Sequence, residues 1–567
     1  MLASHLSAET IVRSVEIRGN HALSERELLG AIILKPSFAF SASQLHNDLD
    51  RILDLYYQNG YYLASALVDS LGYSADSSSV GVWIHVEEGE QAHVGTIRLE
   101  GNTAYTVDEV LGECDTRPGR VFQPSVLERD VDNVIHRYER NGYPFAKVTI
   151  TGMTSRSDST GMLLDIDIQI DEGMLVRVNE IRVEGNKDTR ASVVVRETRL
   201  RPGEPYDEDK IRTIPERLAR LNIFANVGEP ELYVNAKGGG LLLKVQEGAT
   251  NTFDGVVGYV PGGGGEGGFL TGLVNVGMRN LFGTGRKMNV HWQREDRLSQ
   301  ELSFRYLEPW VADLPINLSG SFYQRQQDTT YVNRTVELKT DLLPTENLSF
   351  GAFYNHGVVI PSTTLATAVV SNSSTITVGL EVQYNSRNDL VSPTGGVLYR
   401  SDYSVGRKKI FGTAASSVPS ISVQKISLDF EWYVELFARQ IFVPGLHGRE
   451  LQSGQVEISD LYRFGGANTL RGYRENQFLG SRIVWSNVEY RFLLARRSFF
   501  FGFFDTGYYL QPGDDAKSVP SNQGLKYGYG AGVRVETSLG NIGVSFALGE
   551  GDSFSQGKIH FGLINEF

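Results

Sequence analysis

Hydrophobic and polar positions follow two different periods along the chain, and the change falls near residue 250. Before that point, short alternating runs are separated by segments with apolar residues three or four positions apart, such as Leu45, Leu49, Ile52 and Leu53. Alternation is typical of strands, and the wider spacing is typical of amphipathic helices. After Gly248 the helical spacing disappears and alternating runs continue to the C-terminus. The pattern predicts an α+β region followed by an all-β region.

The α+β region contains three tandem copies of one sequence unit, with a period of about 80 residues. Each copy opens with a strand pattern that ends in a Gly-Asn turn, at Gly19-Asn20, Gly101-Asn102 and Gly185-Asn186. A Lys-Pro or Arg-Pro pair then precedes a second helical pattern, at Pro36, Pro118 and Pro202. Each copy closes with a strand that ends in Glu-Gly, at Gly89, Gly173 and Gly248. The order strand, helix, helix, strand, strand is predicted for each unit.

The end of the second helix distinguishes the third copy from the other two. Asn59-Gly60-Tyr61 and Asn141-Gly142-Tyr143 stop the helix in the first two copies, whereas the third has Leu221-Asn222-Ile223-Phe224 at this point. Each predicted sheet has an open edge, where an extended client segment could add a strand through backbone hydrogen bonds. A repeat array with an unrelated binding task is the alternative.

The all-β region predicts a transmembrane β-barrel. In runs such as 288–293, 487–493 and 532–537, one side is apolar and the other carries polar and charged residues that only a wet lumen would accept. Roughly 315 residues remain after residue 250, which at about 10 residues per strand allows about 16 strands. A soluble β-sandwich is the alternative fold.

Composition supports this interpretation and excludes several function classes. Gly (61), Tyr (26) and Phe (28) are abundant, yet no run of about 18 apolar residues could form a membrane-spanning helix. The formal charge of -13 argues against a nucleic-acid partner. The one cysteine, Cys114, excludes an intrachain disulfide and is expected to be a small buried side chain. Residues 1–10 lack a basic start followed by an apolar run, so we expect that a secretory signal has been removed.

The chain carries no HExxH, GxSxG or Walker glycine loop, and its ten histidines are scattered. We therefore predict that the protein is not an enzyme and needs no cofactor and no metal.

One stretch of the all-β region, residues 461–478, is too rich in glycine for a strand and too rich in arginine and aromatic residues for a passive linker. Glu489 and Asp505 lie in nearby strand patterns at positions that face the predicted lumen. Arg471 is the candidate partner of both, because a guanidinium engages carboxylates bidentately. Gly472 would let the loop turn tightly, and Tyr473 would pack on the wall. A solvated Arg471 with two acids that hydrate a channel is the alternative.

These features resemble the Omp85 superfamily of outer-membrane proteins. Leu470-Arg471-Gly472-Tyr473 is similar to the signature of the family's sixth surface loop, which folds back inside the barrel, and the repeats are similar to POTRA domains. Further marks are 279–286, Glu308-Pro309-Trp310, 392–396 and a terminal strand that ends in Phe567, although Asn565 departs from the usual apolar residue. In the family, the loop arginine contacts the acids that match Glu489 and Asp505.

The resemblance implies a domain layout and a function. We expect POTRA units at 9–89, 90–173 and 174–248 and a barrel at 249–567, a layout closest to the TamA-like members. The expected function is an outer-membrane assembly factor with its POTRA domains in the periplasm, which receives unfolded outer-membrane or secreted client proteins. Outer-membrane lipid and an accessory protein docked on the POTRA domains are the further expected partners. A two-partner-secretion transporter pore, a lipid-transport role and a passive porin are the alternatives.

The first and last barrel strands are expected to meet at a seam that opens sideways to the bilayer. The stretch 255–268 is poor in side chains that would hold register, and Pro261 cannot donate to a strand ladder. A flexible hairpin after an ordinary first strand is the alternative. The predicted seam residues are Phe253, Gly255, Val257, Tyr259, Phe561, Gly562, Leu563 and Phe567.

Overall fold

The architecture is that of a computed structural model. It describes residues 10–158, 161–236, 238–260, 269–294, 298–362, 370–390, 392–411, 420–495, 497–513, 520–537 and 540–564. The predictions on the first nine residues, on the stretch 261–268 and on Phe567 lie outside these residues.

Helices and short sheets alternate before residue 250. The helices are α1 Glu25–Ala31, α2 Ala42–Gln58, α3 Val107–Leu111, α4 Pro124–Glu139, α5 Ala191–Thr198, α6 Glu208–Arg212 and α7 Ile214–Arg220. The strands are β1 Ile11–Arg18, β2 Ser65–Tyr73, β3 Ser79–Glu87, β4 Ala92–Glu100, β5 Lys147–Asp158, β6 Gly161–Asp171, β7 Arg177–Glu184, β8 Glu204–Pro205, β9 Phe224–Val227, β10 Glu231–Asn235 and β11 Gly238–Glu247.

The first two repeats have the same three-stranded sheet. Its order is β1-β3-β2 in the first repeat and β4-β6-β5 in the second. The central strand, β3 or β6, is parallel to β1 or β4 and antiparallel to β2 or β5. One face packs against the two helices, around a fully buried tyrosine, Tyr56 or Tyr138. The predicted element order is confirmed in both repeats.

The Glu-Gly landmark has a structural role that explains its recurrence. Glu88 and Glu172 accept hydrogen bonds from backbone N–H groups just after the Gly-Asn turn, at 2.6 to 2.8 Å, and from the hydroxyls of Tyr56 and Tyr138. Glu247 accepts in the same way from residues 187–189. Each carboxylate therefore ties the last strand of its repeat to the first turn.

The third repeat departs from the predicted order of strand, helix, helix, strand, strand, whereas its sequence indicated a difference only at the end of the second helix. One long helix is replaced by the short helices α6 and α7, and the chain then continues into the short strand β9, which pairs with β11. The sheet has the order β10-β11-β7-β8.

After residue 250 the chain forms one antiparallel sheet of 16 strands within the described residues, which confirms the predicted number. The strands are β12 Asn251–Val260, β13 Phe269–Leu281, β14 Arg286–Arg294, β15 Gln300–Glu308, β16 Ile316–Gln327, β17 Tyr331–Leu342, β18 Leu348–Pro361, β19 Ser373–Asn385, β20 Gly396–Ile410, β21 Ser420–Phe437, β22 Gln440–Ser453, β25 Arg482–Ala495, β26 Ser498–Gln511, β27 Asn522–Thr537, β28 Gly540–Gly549 and β29 Lys558–Ile564. A small hairpin, β23 Tyr462–Phe464 and β24 Phe478–Gly480, interrupts the series. Two short 3₁₀ helices lie at Val311–Asp313 and Phe554–Gln556.

The two faces of this sheet differ in polarity. On β19, Val378 and Leu380 are 52% and 68% exposed on the outer face, whereas Glu381 points to the other face and pairs with Lys339 of β17 at 2.7 Å. Such charged pairs on the inner face continue along the sheet, for example between Arg400 and Asp429. The predicted division into an apolar outer face and a polar inner face is therefore observed.

The chain separates into two compact units. One comprises Met1–Glu180, Arg201–Ile211 and Tyr233–Gly240, and the other comprises Ile181–Leu200, Arg212–Leu232 and Leu241–Phe567. The second unit thus contains the 16-stranded sheet together with helices α5 and α7 of the third repeat. No helix in the part of the chain that the structure describes is long and apolar enough to cross a membrane.

Candidate functional site: a loop held inside the sheet

The segment between β22 and β25 folds onto the inner face of the sheet. Its hairpin β23–β24 and its tip share an apolar cluster with the wall, formed by Phe464, Leu470, Tyr473, Ile483, Trp485 and Tyr509. Phe464 and Leu470 have no exposed surface. A loop of this composition would be solvated at a protein surface, so its burial here shows that the sheet and the loop form one core. We call residues 454–481 the inner loop.

Arg471 lies at the tip of the inner loop and contacts both predicted acids. Its Nε and Nη2 donate to the two carboxylate oxygens of Asp505 at 2.7 Å each, and its backbone N–H donates to the same carboxylate at 3.0 Å. Its Nη1 donates to Glu489 at 2.6 Å. Asp505 is fully buried and Arg471 is 7% exposed. The solvated arginine considered as the alternative is not what the structure shows.

Aromatic rings enclose the same guanidinium. The Arg471 guanidinium carbon lies 3.7 Å from the ring centre of Phe503 and 5.8 Å from that of Phe501. A desolvated cation over a ring face is stabilised by the ring quadrupole. Glu489 is also shared with Arg491, which donates to its other oxygen at 2.8 Å. The negative charges of Glu489 and Asp505 therefore balance the positive charges of Arg471 and Arg491, in surroundings that exclude most water.

Gly472 and Tyr473 fix the tip against the strands that follow Asp505. Gly472 has φ +95°, and a Cβ atom there would lie 2.7 Å from the backbone of Leu548 and Gly549 on β28. Tyr473 donates through its hydroxyl to the carbonyl of Tyr527 at 3.0 Å and accepts from the N–H of Glu550 at 3.1 Å. The tight turn and the wall contact expected from the sequence are both present.

The outer end of the inner loop, which contains Glu457 and Asp460, has its own anchor. This anchor was not predicted from the sequence. Lys408 of β20 donates to Glu457 at 3.0 Å and to Asp460 at 2.6 Å, and Lys408 is only 1% exposed. Glu457 also accepts from the N–H of Ser371. Arg463 extends from the same loop to Gln327 of β16 and Tyr331 of β17, which lie seven and six places from β25 in the sheet order. The loop is thus bound to well-separated parts of the wall.

A cavity of about 350 Å³ adjoins the tip and is lined mainly by charged and polar side chains, including Arg471, Glu489, Arg491, Arg534 and His560. The residues that the structure describes contain no cluster of His, Cys, Asp and Glu that could hold a metal ion. In the cavity wall, Arg471 and Arg491 both donate to Glu489, and Arg534 lies over the ring of Phe499. The arrangement is suited to holding a loop.

The predicted seam residues other than Phe567, which lies outside the described residues, are on the two end strands of the described sheet. Phe253 and Tyr259 of β12 are 72% and 65% exposed, and Phe561 of β29 is 65% exposed. Gly255 and Val257 belong to β12, and Gly562 and Leu563 belong to β29. Strand pairing runs without interruption from β12 through to β29. The opening of a seam between them remains a prediction.

The turns at one end of the sheet contact the third repeat. The N–H of Arg190 donates to the carbonyl of Gly283, and Arg199 donates to the carbonyls of Leu343, Pro344 and Thr345. Trp310 donates through Nε1 to Glu197 at 2.8 Å. Burial raises the pKa of the Glu197 carboxyl, an effect that the neighbouring Arg196 only partly offsets. The sequence motifs around residues 279–286 and 308–310 therefore form the surface on which α5 lies.

Several residues that contribute to the site were not predicted from the sequence. The alternating pattern of β26 could have indicated some of them. Phe501 and Phe503 alternate on the same face as Asp505, so period-two reasoning could have placed them beneath Arg471. Lys408, Arg463 and His560 gave no such signal, because their partners are 49 to 136 residues away in the chain.

Comparison with known proteins agrees with this architecture. The profile of the Omp85 superfamily domain matches residues 280–567, and the POTRA profile, described as a surface antigen variable number repeat, matches residues 10–89, 92–173 and 176–248. The outer membrane protein assembly factor BamA of Neisseria meningitidis serogroup B is 24% identical over 61% of this chain. BamA of Nitratidesulfovibrio vulgaris is 22% identical over 97% of it. The alignments span 45% and 73% of these two relatives' own lengths.

Among solved structures, CdiB from Escherichia coli shares the fold. It is 15% identical, the match covers 92% of this chain and 96% of that one, and the TM-score is 0.51.

Proposed function

Because the chain belongs to the Omp85 superfamily, we propose that it is a protein assembly factor of the bacterial outer membrane, with its POTRA repeats in the periplasm. Its substrates are unfolded outer-membrane or secreted chains, which the repeats receive and the barrel inserts or translocates. The observation that carries the proposal is the buried Arg471–Asp505–Glu489 cluster, which holds a loop inside a 16-stranded sheet directly after three POTRA repeats. A passive pore would need neither the repeats nor such a latch.

The repeats supply the receiving surface in this proposal. In the first two repeats, β2 and β5 are sheet edges, each paired on one side only. Leu67 on β2 and Met153 on β5 are 67% and 46% exposed. An extended client segment would add a strand at such an edge through backbone hydrogen bonds, which depend little on sequence. An accessory periplasmic or inner-membrane protein would dock on the same domains.

The barrel supplies the exit toward the bilayer through the seam between β12 and β29. The proposed function requires this seam to open so that a client strand can pair with an exposed edge. Arg471, Gly472 and Tyr473 would act as the latch that keeps the barrel ordered while this happens, with Glu489 and Asp505 as its lumenal anchors. Charge pairing and positioning suffice for these tasks, so the protein would act without catalysis, cofactor or metal.

Reconstitution tests the assembly proposal. The purified chain in liposomes should convert a urea-unfolded β-barrel client into a heat-modifiable, protease-resistant form faster than empty liposomes do. Deletion of residues 9–248 should abolish this conversion, because the receiving edges are lost. Undiminished conversion by the deleted chain would overturn the role given to the repeats. In cells, depletion should remove particular barrel proteins from the outer membrane.

Cysteine pairs test the seam. One cysteine is placed on Asn251–Val260 and the other on Lys558–Ile564, in a Cys114→Ala background, and pairs that crosslink are selected. The oxidised form should lose client assembly and regain it on reduction, whereas a pair across β13 and β14 should have no effect. Full assembly with the seam crosslinked would contradict lateral opening.

A transporter of the two-partner-secretion type is the second candidate, and the shared fold with CdiB favours it. Planar-bilayer recordings separate the two. A large, steady conductance would favour a pore, whereas a small, flickering conductance would suit a barrel plugged by the inner loop. A role in lipid transport would be revealed by altered lipid exchange between vesicles without any effect on clients.

A further inference from the structure

The last strand of the sheet is joined to the tip of the inner loop by a single imidazole. The backbone N–H of Gly472 donates to Nε2 of His560 on β29, at 3.2 Å. His560 is 9% exposed, and its other ring nitrogen, Nδ1, lies 4.0 Å from the carboxylate of Glu475. Because Nε2 accepts a hydrogen bond, the neutral ring carries its proton on Nδ1, on the side of that carboxylate. The contact is directional and is specific to one tautomer.

The loop tip is held on each of the last three strands in a different way. A Cβ atom on Gly528 of β27 would lie 1.9 Å from the carbonyl oxygen of Arg471, so the two backbones touch. Gly472 abuts the backbone of β28 in the same manner. On β29 the contact is made by the His560 side chain, which reaches from the strand to the loop. Replacement of this side chain can therefore separate the loop from β29 without altering the backbone packing on β27 and β28.

The contact matters because β29 is the end strand of the described sheet and is paired on one side only. Among the described residues, which end at Ile564, its ladder with β28 comprises seven residue pairs, whereas the ladder between β26 and β27 comprises 13. On the outer face, Ile559 and Phe561 are 74% and 65% exposed and make little contact with the protein. The His560 bond to the inner loop thus adds a contact on the inner face to the backbone ladder that holds residues 558–564.

We propose that His560 is a positioning residue that couples the inner loop to the last strand, so that engagement of Arg471 and placement of β29 form one cooperative unit. This inference rests on the proposed function, in which β29 borders the seam. When Arg471 is seated on Asp505, the Gly472 N–H is presented to His560 and the last strand is held. When the loop tip withdraws, β29 loses that bond and its edge is free to pair with a client strand.

Hydrogen exchange on the full-length protein in detergent micelles tests the coupling. His560→Phe keeps a ring of similar size but cannot accept a hydrogen bond, whereas His560→Gln retains an acceptor. His356→Phe is the matched control, because His356 contacts Ser374 on the neighbouring strand and lies outside the inner loop. Exchange is read in peptides that cover residues 468–476 and 558–564.

His560→Phe should speed exchange in both peptides by roughly five- to tenfold, the size expected for the loss of one hydrogen bond. His560→Gln should restore much of the protection, and His356→Phe should leave both peptides unchanged. Equal effects of His560→Phe and His560→Gln would overturn the proposal, because they would show that only packing matters. Unchanged exchange at residues 468–476 in His560→Phe would also overturn it.

A double-mutant cycle provides the second arm. Arg471→Ala should also speed exchange at 558–564, and the addition of His560→Phe should then change little, because both substitutions break the same unit. Fully additive effects would refute the coupling. Client assembly by the same variants is measured separately. If the coupling is present but the wild-type chain does not assemble clients, the proposed function fails while the coupling between loop and strand stands.

Discussion

Arg471 and Asp505, 34 residues apart in the chain, meet through three hydrogen bonds from one arginine to one fully buried carboxylate. Two of them come from the guanidinium and one from the arginine's own backbone N–H. The side chain and the backbone of the loop tip are therefore fixed by the same acid. The removal of one member of a buried pair leaves the other charge uncompensated, which costs about 3 to 5 kcal/mol.

Arg471→Ala should lower the unfolding temperature of the barrel and the client-assembly rate while the POTRA repeats stay folded, because Asp505 and Glu489 lose their common cation. Arg471→Lys should recover only part of the loss, because an ammonium lacks the planar fork. Heat-modifiability on gels and the assembly assay measure both effects. Arg474→Ala, at an exposed position three residues along the same loop, is the control. Wild-type heat stability and activity in both Arg471 variants would refute the latch.

Lys408→Met should destabilise the outer end of the inner loop, since it leaves Glu457 and Asp460 without their shared cation. The expected cost is about 3 to 5 kcal/mol. The triple variant Lys408→Met, Glu457→Gln, Asp460→Asn should recover much of it, because no unpaired charge remains. Limited proteolysis of the inner loop in detergent measures the effect. Lys409→Met, at an exposed neighbouring position, should behave as wild type. No recovery in the triple variant would show that the charges are not the cause.

Gly283→Ala should loosen the third repeat from the sheet. Gly283 has φ +69°, and a Cβ atom would lie 2.0 Å from the carbonyl oxygen of Asp188. Gly551 also has a positive φ, of +78°, but a Cβ there would meet nothing within 4 Å. Gly551→Ala therefore costs only the backbone strain, about 1 to 2 kcal/mol. Hydrogen exchange at residues 186–199 should rise in Gly283→Ala alone, and equal behaviour of the two variants would contradict the docking contact.

Glu247 should make the third repeat sensitive to acid. Burial raises the pKa of this carboxyl, but the hydrogen bonds from residues 187–189 lower it more, so that it lies at about 2 rather than 4.5. A depressed pKa stabilises the fold fully above the unfolded value of 4.5, and this contribution is lost as the pH falls toward 2. The pKa values of Glu88 and Glu172 are lowered in the same direction.

Glu247→Gln should therefore destabilise the repeat by about 1 to 2 kcal/mol near neutral pH. The difference from wild type should shrink as the pH is lowered from about 5 to about 2, because the Glu247 carboxyl of the unfolded chain takes up a proton at a higher pH than that of the folded chain. Thermal melts of the full-length protein, followed by exchange at residues 187–189, provide the measurement. Glu231→Gln, which affects an exposed ion pair with Lys244, is the control. A difference that is independent of pH would exclude the charged carboxylate as the cause.

Cys114 should resist thiol reagents in the folded protein. Burial raises the pKa of its thiol to about 11, and Asp130 adds to the effect. Little reactive thiolate is therefore present near neutral pH. Maleimide labelling should be slow until the second repeat unfolds, whereas a cysteine introduced at the exposed position of Ser157 should react at once. Rapid labelling of Cys114 in the folded chain would contradict its burial.

The sequence by itself determined the architecture, because the features that encode it are local. The Gly-Asn and Glu-Gly landmarks mark where each repeat begins and ends, and period-two alternation marks the strands and their two faces. The same alternation placed Glu489 and Asp505 on the inner face. Arg471 was identified because the stretch around it has an unusual composition for a loop and resembles a family signature. Its candidate partners could therefore be named before any distance was known.

Only the tertiary structure decided which residues, remote in the chain, come together. Arg463 meets Tyr331 across 132 residues, Lys408 meets Glu457 across 49, and Gly472 meets His560 across 88. Such contacts depend on strand register and on the path of the inner loop inside the sheet, and neither leaves a local pattern. Packing of the loop against the whole wall creates these pairs, which is why the anchors at its outer end and on the last strand appear only in the folded chain.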